Sequence, residues 1–292
     1  MNNPLVSICM ITYNHENYIR DAIEGVLMQK TSFPIELVIG EDCSTDNTRA
    51  ICIEYQQKYP EIIRLLLPEK NLGANKNFIN TLAACKGKYI ALCEGDDYWT
   101  DPYKLQKQVD FLENNPEYGL VYTDYNRLYQ KTGTIIKNFL QNKKYVIEDG
   151  VIFDKLMNFQ NISQVCTVVF RKNIIYEYFD FNAMVERKWQ LGDLPLLLTF
   201  AKHSKIKYLN ESTATYRVLE ESASNTKNYE KKHELHKSIY DVFLFYADKY
   251  NCSEQIKQNI KIKQYQAFLK DALFLKNKKL SAEAKAELQQ LN

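Results

Sequence analysis

Four short apolar runs, each ending in polar residues, and the helical spacing between them fill the first hundred residues and leave few folds open. Leu5 to Thr12 (LVSICMIT), Ile35 to Gly40, Ile62 to Leu67 and Tyr89 to Cys93 have the length and composition of strands. Between the first and second run, Tyr18, Ile19, Ala22, Ile23, Val26 and Leu27 recur at helical spacing and predict a helix to about Gln29. Ile51, Ile53, Tyr55 and Tyr59 mark a second helix, and Asn71 to Asn75 opens a third that reaches Cys85, with Gly87 closing it. Strands alternating with helices predict right-handed βαβ units and a mainly parallel sheet. No GxGxxG follows any of the strands, which argues against a dinucleotide-binding version of such a sheet.

The remaining pattern is more mixed. A helix is predicted from Asp101 to about Asn114, with Lys104, Lys107 and Gln108 on its wet face, then a strand over Tyr118 to Thr123. Arg127 to Val146 reads as a hairpin turning at Lys131-Thr132-Gly133, which makes the sheet mixed, Gly150 to Asn158 as a short helix, and Cys166 to Arg171 as a strand returning to the core. LPLLLTFAKH is a helix with Pro195 in its first turn and Asp193 at or near its N-cap. Two strand-like runs, Lys205 to Leu209 and Thr213 to Val218, precede a polar stretch, Glu220 to Asn228, that reads as a mobile lid. Helices follow from Tyr229 to about Tyr250 and from Ser253 to about Lys278. Residues 253 to 279 hold seven lysines against Glu254 and Asp271. A basic amphipathic helix of this kind packs its apolar face on its own protein more often than on an anionic membrane or a partner.

With 38 basic and 36 acidic residues, the charge balance gives no reason to expect nucleic acid as a partner. The seven cysteines are scattered and free of CxxC spacing, so neither a disulfide framework nor a zinc site is indicated and a reducing, cytoplasmic setting fits. There is no signal-peptide pattern and no apolar run of the ~20 residues that span a bilayer, so the chain reads as soluble or peripheral to a membrane.

The chemistry concentrates in KYIALCEGDDYWTD, Lys88 to Asp101, where Glu94, Asp96 and Asp97 follow a buried strand directly. In open α/β sheets ligands bind beyond the carboxyl ends of the strands. Carboxylates packed this densely repel one another and sit together most easily around a cation. A divalent metal site and a plain acidic turn, with Asp101 as N-cap and Pro102 at the first helical position, both fit.

The order VSICMITYNHENYIRDAIEGVLMQ, ELVIGEDCSTDNT, NLGANKNF, GKYIALCEGDDYWTDPYKLQKQ, GDLPLLL resembles family 2 of the inverting glycosyltransferases. The resemblance runs from about residue 4 to 225 and is strongest before residue 115. It implies a GT-A fold over residues 1–225, with a nucleotide-sugar donor half (1–115), an acceptor half (116–225), and a helical C-terminal extension over 226–292. It further implies that Thr12, Tyr13, Asn14, Asp42 and neighbouring Glu41 hold the base and ribose of the donor. Asp96 and Asp97 would form the DxD-type site for Mn²⁺ or Mg²⁺, Lys76 would approach the diphosphate, and Asp193 would be the general base. The family's inverting geometry implies a β-linked product from an α-linked donor. The implied partners are a nucleotide-sugar donor, a UDP-sugar by family precedent, and a glycan or lipid-linked acceptor of bacterial surface polysaccharide. An oligomer and peripheral contact with the inner face of the membrane are compatible with it.

Two positions depart from the family pattern. Cys43 stands where many relatives have Gly, and Leu219 stands where many have a His that touches metal or diphosphate. Arg217 is the nearest cation to supply the diphosphate instead. A QxxRW motif of processive synthases is absent, which favours transfer of a single sugar. The alternative reading is a non-catalytic sugar-nucleotide-binding or scaffold protein on the same fold.

Overall fold

The computed structural model describes residues 3–142, 149–159, 164–190, 192–220 and 226–291. The first half follows the alternation of its apolar runs: β1 (Val6–Thr12), α1 (Ile19–Leu27), β2 (Ile35–Glu41), α2 (Thr48–Lys58), β3 (Ile63–Leu66), α3 (Ala74–Ala84) and β4 (Tyr89–Leu92). β1 pairs in parallel with both β2 and β4, and β2 with β3. The chain therefore steps outward through β1, β2 and β3, then returns to the other side of β1. That reversal opens a crevice at the carboxyl ends of β1 and β4, where α/β sheets take ligands. Ile19, Ile23 and Val26 of α1 and Ile51 and Cys52 of α2 pack on Val6, Ile8 and Met10 of β1 and on Leu37 and Ile39 of β2.

The second half continues with β5 (Tyr98–Trp99), α4 (Lys104–Asn114), β6 (Tyr118–Tyr129), β7 (Thr134–Ile136), α5 (Phe139–Asn142), α6 (Phe153–Met157) and a 3₁₀ turn over Val165–Thr167. After it come β8 (Val169–Arg171), α7 (Lys172–Tyr178), α8 (Phe181–Glu186), α9 (Asp193–His203) and β9 (Lys205–Val218). β8 enters antiparallel to β4 and to β6, and the sheet order becomes β3-β2-β1-β4-β8-β6-β9-β5, with β7 paired to β6. The sheet is mixed, as expected from the hairpin onward, and β8 is the strand that first runs antiparallel to the parallel half.

Several local expectations change. Lys104 and Gln108 are fully buried, not on the wet face, while Lys107 bonds Asp101 and Glu211 at the surface. The buried positions of α4 (104, 105, 108, 109 and 112) keep helical periodicity, so the helix is turned by its polar as well as its apolar residues. Asp101 does not cap α4: its Oδ1 accepts from the Tyr103 N–H at 2.8 Å, a turn bond that delays the helix to Lys104. The two runs at Lys205 and Thr213 form one strand, because pairing across the sheet carries the backbone through Asn210-Glu211-Ser212. The hairpin closes earlier, with Arg127 opposite Ile136. Residues 143–148 of its expected span, and residues 221–225 of the expected lid, lie outside the described residues. The helix expected from Ser253 to Lys278 stops at Phe274; Lys276 takes a φ of 52°, and a further helix begins at Lys278.

The chain divides into two compact units, one of residues 1–152, 162–181 and 199–217, the other of 153–161, 182–198 and 218–292. The first contains the sheet. In the second, α10 (Tyr229–Lys249), α11 (Glu254–Phe274) and α12 (Lys278–Leu291) pack in sequence. Asn228 starts α10 by accepting from the Glu230 and Lys231 N–H groups, and Ser253 starts α11 by accepting from Ile256. Trp189, 1% exposed, donates to Asp241 at 2.7 Å, and Arg187 takes the other oxygen of the same carboxylate. His233 and His236 both place Nδ1 on Asp271 Oδ2, at 3.0 and 2.8 Å. Among the described residues no helix is long and apolar enough to cross a membrane. None of the seven cysteines is in a disulfide, and only Cys43 and Cys252 are other than buried.

Candidate functional site

β4 ends at Leu92, and the chain turns through Cys93-Glu94-Gly95-Asp96-Asp97 before β5. The Gly95 N–H donates to Ile11 O at 3.0 Å, drawing this turn against the end of β1. A Cβ at position 95 would lie 2.4 Å from Thr12 Oγ1, so only glycine permits the approach. β5 pairs antiparallel with β9, Tyr98 opposite Thr215, and this brings the Arg217 N–H to Asp97 Oδ1 at 2.8 Å. Asp97 is 2% exposed. Burial, with Asp96 and Glu94 beside it, pushes its carboxyl well above the usual carboxylate range, against the bonds from Arg217 N–H and the Cys166 thiol. Among the described residues no ammonium or guanidinium pairs with it, and the site fits a cation from outside. Among the described residues no three His, Cys, Asp or Glu side chains are arranged to hold a metal unaided. Mg²⁺-type sites need only one or two carboxylates when phosphate and water complete the shell.

At the ends of β1 and β2 two loops clasp each other. Asp42 N–H donates to Thr12 O at 3.0 Å, Asn14 in the left-handed region (φ 56°) accepts from Thr45 N–H at 2.8 Å, and His15 N–H donates to Thr48 Oγ1 at 2.8 Å. Tyr13 at the tip is 42% exposed and presents its ring to solvent. Glu41 is fully buried; one oxygen accepts from the Ser44 N–H at 2.6 Å and the other pairs with Arg49. Asp42, 3% exposed, accepts from the Leu72 and Gly73 N–H groups at 2.7 and 3.0 Å, just ahead of α3. Its carboxylate therefore sits at the helix N-terminus that favours negative charge. Lys76 lies exposed in the first turn of α3.

Arg217 belongs to the site through its backbone. Its guanidinium is 5.2 Å from the Tyr18 ring centre and 4.6 Å from that of Tyr98, and it bonds Asp21 and Gln130. The side chain is thus held by Asp21 of α1 and by Gln130 just after β6, and its backbone gives Asp97 a fixed N–H donor. Asp193 belongs to the other unit and is the first residue of α9, where its Oδ1 accepts from the Leu194 N–H at 2.8 Å. The residue keeps partial exposure, yet desolvation raises its carboxyl above the ordinary value.

Three neighbours have no role in the sequence reading. His15 places Nδ1 3.2 Å from Thr12 Oγ1 and close to Gly95; the signal for it was its place in the same turn as Tyr13 and Asn14. Cys166, by its thiol, and Lys104 lie under the acidic turn, and no local pattern marks them. Lys104 Nζ bonds Gln108 and Thr167 O and stands 4.9 Å from the Trp99 ring centre, with no carboxylate ion pair among the described residues. Burial lowers its pKa from 10.5 to about 7. Because the unfolded chain keeps that proton to higher pH, Lys104 weakens folding fully below about 7 and progressively less towards 10.5. Melting temperatures of wild type and Lys104→Met, compared from neutral to alkaline pH, are expected to shift in favour of the wild type as pH rises. A constant offset would refute this.

Comparison with known proteins follows this geometry. The family model described as glycosyl transferase family 2 matches residues 7–176. An uncharacterized protein of Mycobacterium tuberculosis is 37% identical over 214 residues, 73% of this chain and 58% of its own, so the chain spans somewhat more than half of that relative's length. The UDP-Glc:alpha-D-GlcNAc-diphosphoundecaprenol beta-1,3-glucosyltransferase WfgD of Escherichia coli is 30% identical over 234 residues, 80% of this chain and 84% of that one. Among solved structures, S. aureus TarS 1-349 in complex with UDP-GlcNAc superposes with a TM-score of 0.64 at 17% identity, over 98% of this chain and 79% of that one. The mannosyltransferase PcManGT from Pyrobaculum calidifontis, in complex with GDP-Man and Mn²⁺, gives 0.59 at 13% identity, over 99% and 75%. These likenesses establish the GT-A fold. With an unbroken match through both clasped loops, the acidic turn and β8, the chain belongs to glycosyl transferase family 2.

Proposed function

We propose that this chain moves one sugar from a nucleoside-diphosphate sugar, a UDP-sugar by preference, to a hydroxyl of a glycan or lipid-linked acceptor in surface-polysaccharide assembly. The reading rests chiefly on Asp97, a buried carboxylate crowded by Asp96 and Glu94 at the β1–β4 crevice and without a cationic partner among the described residues. The UDP-GlcNAc complex of TarS, the GDP-Man complex of PcManGT and the diphosphoundecaprenol acceptor of WfgD support the substrate classes.

Asp97 and Asp96 would hold Mn²⁺ or Mg²⁺, which when bound neutralises the charge that grows on the departing β-phosphate. Tyr13 offers a face for the base, with Thr12, Asn14 and Asp42 beside it and Glu41 holding the loop that carries them. Lys76 supplies a cation to the diphosphate, and the Arg217 N–H keeps Asp97 aimed. Asp193 takes the proton of the acceptor hydroxyl as its oxygen bonds to the anomeric carbon. The bond from that carbon to the β-phosphate oxygen breaks on the opposite face, the nucleoside diphosphate leaves, and the configuration inverts.

Calorimetry with a panel of nucleoside diphosphates, with and without Mn²⁺, tests the reading. Selective, metal-dependent binding with release of nucleoside diphosphate in the presence of acceptor supports it, and no binding to any nucleotide would refute it. Leu219 motivates a second reading, a binding protein without turnover, which donor binding without transfer to any acceptor would favour.

A further inference from the structure

Most of the apolar face of α11 is covered by α10 and α12, as a basic amphipathic helix usually is, but the last two residues of the helix are not. Leu273 is 70% exposed and Phe274 51%. Phe274 stacks on Tyr229, the first residue of α10 and itself 40% exposed, with ring centres 4.5 Å apart and planes 6° from parallel. The start of α10, the end of α11 and the start of α12 therefore share one end of the helical unit. Lys231, Lys232, Lys270, Lys276 and Lys278 lie exposed at that end and form no ion pair among the described residues. Its carboxylates are fewer: exposed Glu230 and Glu234, the latter paired with Lys237, and Asp271, buried against two histidines.

We propose that this end docks on an anionic lipid bilayer, with Leu273, Phe274 and Tyr229 entering the headgroup region and the lysines facing lipid phosphates. Three apolar side chains form too small a patch for a stable protein interface, and lysine is depleted from such interfaces. The combination instead matches interfacial anchors, where shallow apolar insertion and attraction to anionic headgroups act together. This surface is independent of the transfer reaction.

Co-sedimentation with phosphatidylglycerol-containing vesicles, against phosphatidylcholine vesicles, tests it. The protein is expected to bind the anionic vesicles, and more weakly at high salt. Leu273→Ser with Phe274→Ser, and separately Lys276→Gln with Lys278→Gln, should each weaken binding by about tenfold or more. Circular dichroism and nucleotide binding should not change, since none of the four residues is among those assigned to the donor. Failure of the wild type to bind, or unchanged binding by both variants, would overturn the proposal. So would concentration-dependent dimerisation lost with the apolar pair, because a second copy would then own the patch.

Discussion

Asp97→Asn is expected to raise the melting temperature of the metal-free protein and to abolish metal-dependent nucleotide binding. The two effects have one cause. Asparagine keeps an oxygen for the Arg217 N–H, now bonded at 2.8 Å, but carries no charge against Asp96 and Glu94. With a folded pKa raised above its unfolded value, Asp97 favours folding below the unfolded value and loses that contribution as pH rises through the folded one. The gain in the variant should therefore be greatest at neutral and alkaline pH and vanish in acid, at ~2–4 °C per kcal/mol relieved. Nucleotide affinity in Mn²⁺ should fall by more than the ~10–100-fold that loss of a metal ligand's supporting partner costs. A variant that is no more stable yet binds normally would remove both the crowding argument and the metal assignment.

Asp193→Asn is expected to lower kcat by ~10²–10⁴ with little change in KM for the donor, as loss of a general base does. The Leu194 N–H keeps its acceptor in the amide, so the start of α9 should survive. The wild-type rate should climb with pH through a carboxyl value above the ordinary one, because only the ionised form accepts a proton and desolvation raises its pKa. Stability has the opposite slope: the contribution from protonated Asp193 is lost as pH rises through the same value. Full activity in the variant would move the base elsewhere.

Much of the parallel half was legible because β1, β2 and β4 are buried strands with helices between them, and burial there coincides with hydrophobicity. The order of acids at strand ends located the crevice. Illegible features were those where partners outweigh local preference. Lys104 and Gln108 read as a wet face because their type is polar, yet Thr167 O and Val121 O give them buried partners from distant chain. Lys205 to Leu209 and Thr213 to Val218 read as two runs, but a single strand passes through the polar residues between them. The family resemblance offers Arg217 to the diphosphate; the place of its guanidinium over Tyr18 and Tyr98 depends on the start of α1 meeting β5, which no local window contains.

The distribution of thiols gives an experimental handle on motion. Cys9, Cys52, Cys93 and Cys166 are buried with their thiols pushed up, Cys52 to about 12, so they resist alkylation while the protein is folded. Cys43 and Cys252 are the two partly exposed ones, and they fall in different units, Cys43 directly beside Asp42. A maleimide fluorophore pair or two nitroxides can thus be installed on the natural sequence. Their separation, followed while nucleotide is titrated in, would report whether catalysis proceeds by closure of one unit on the other.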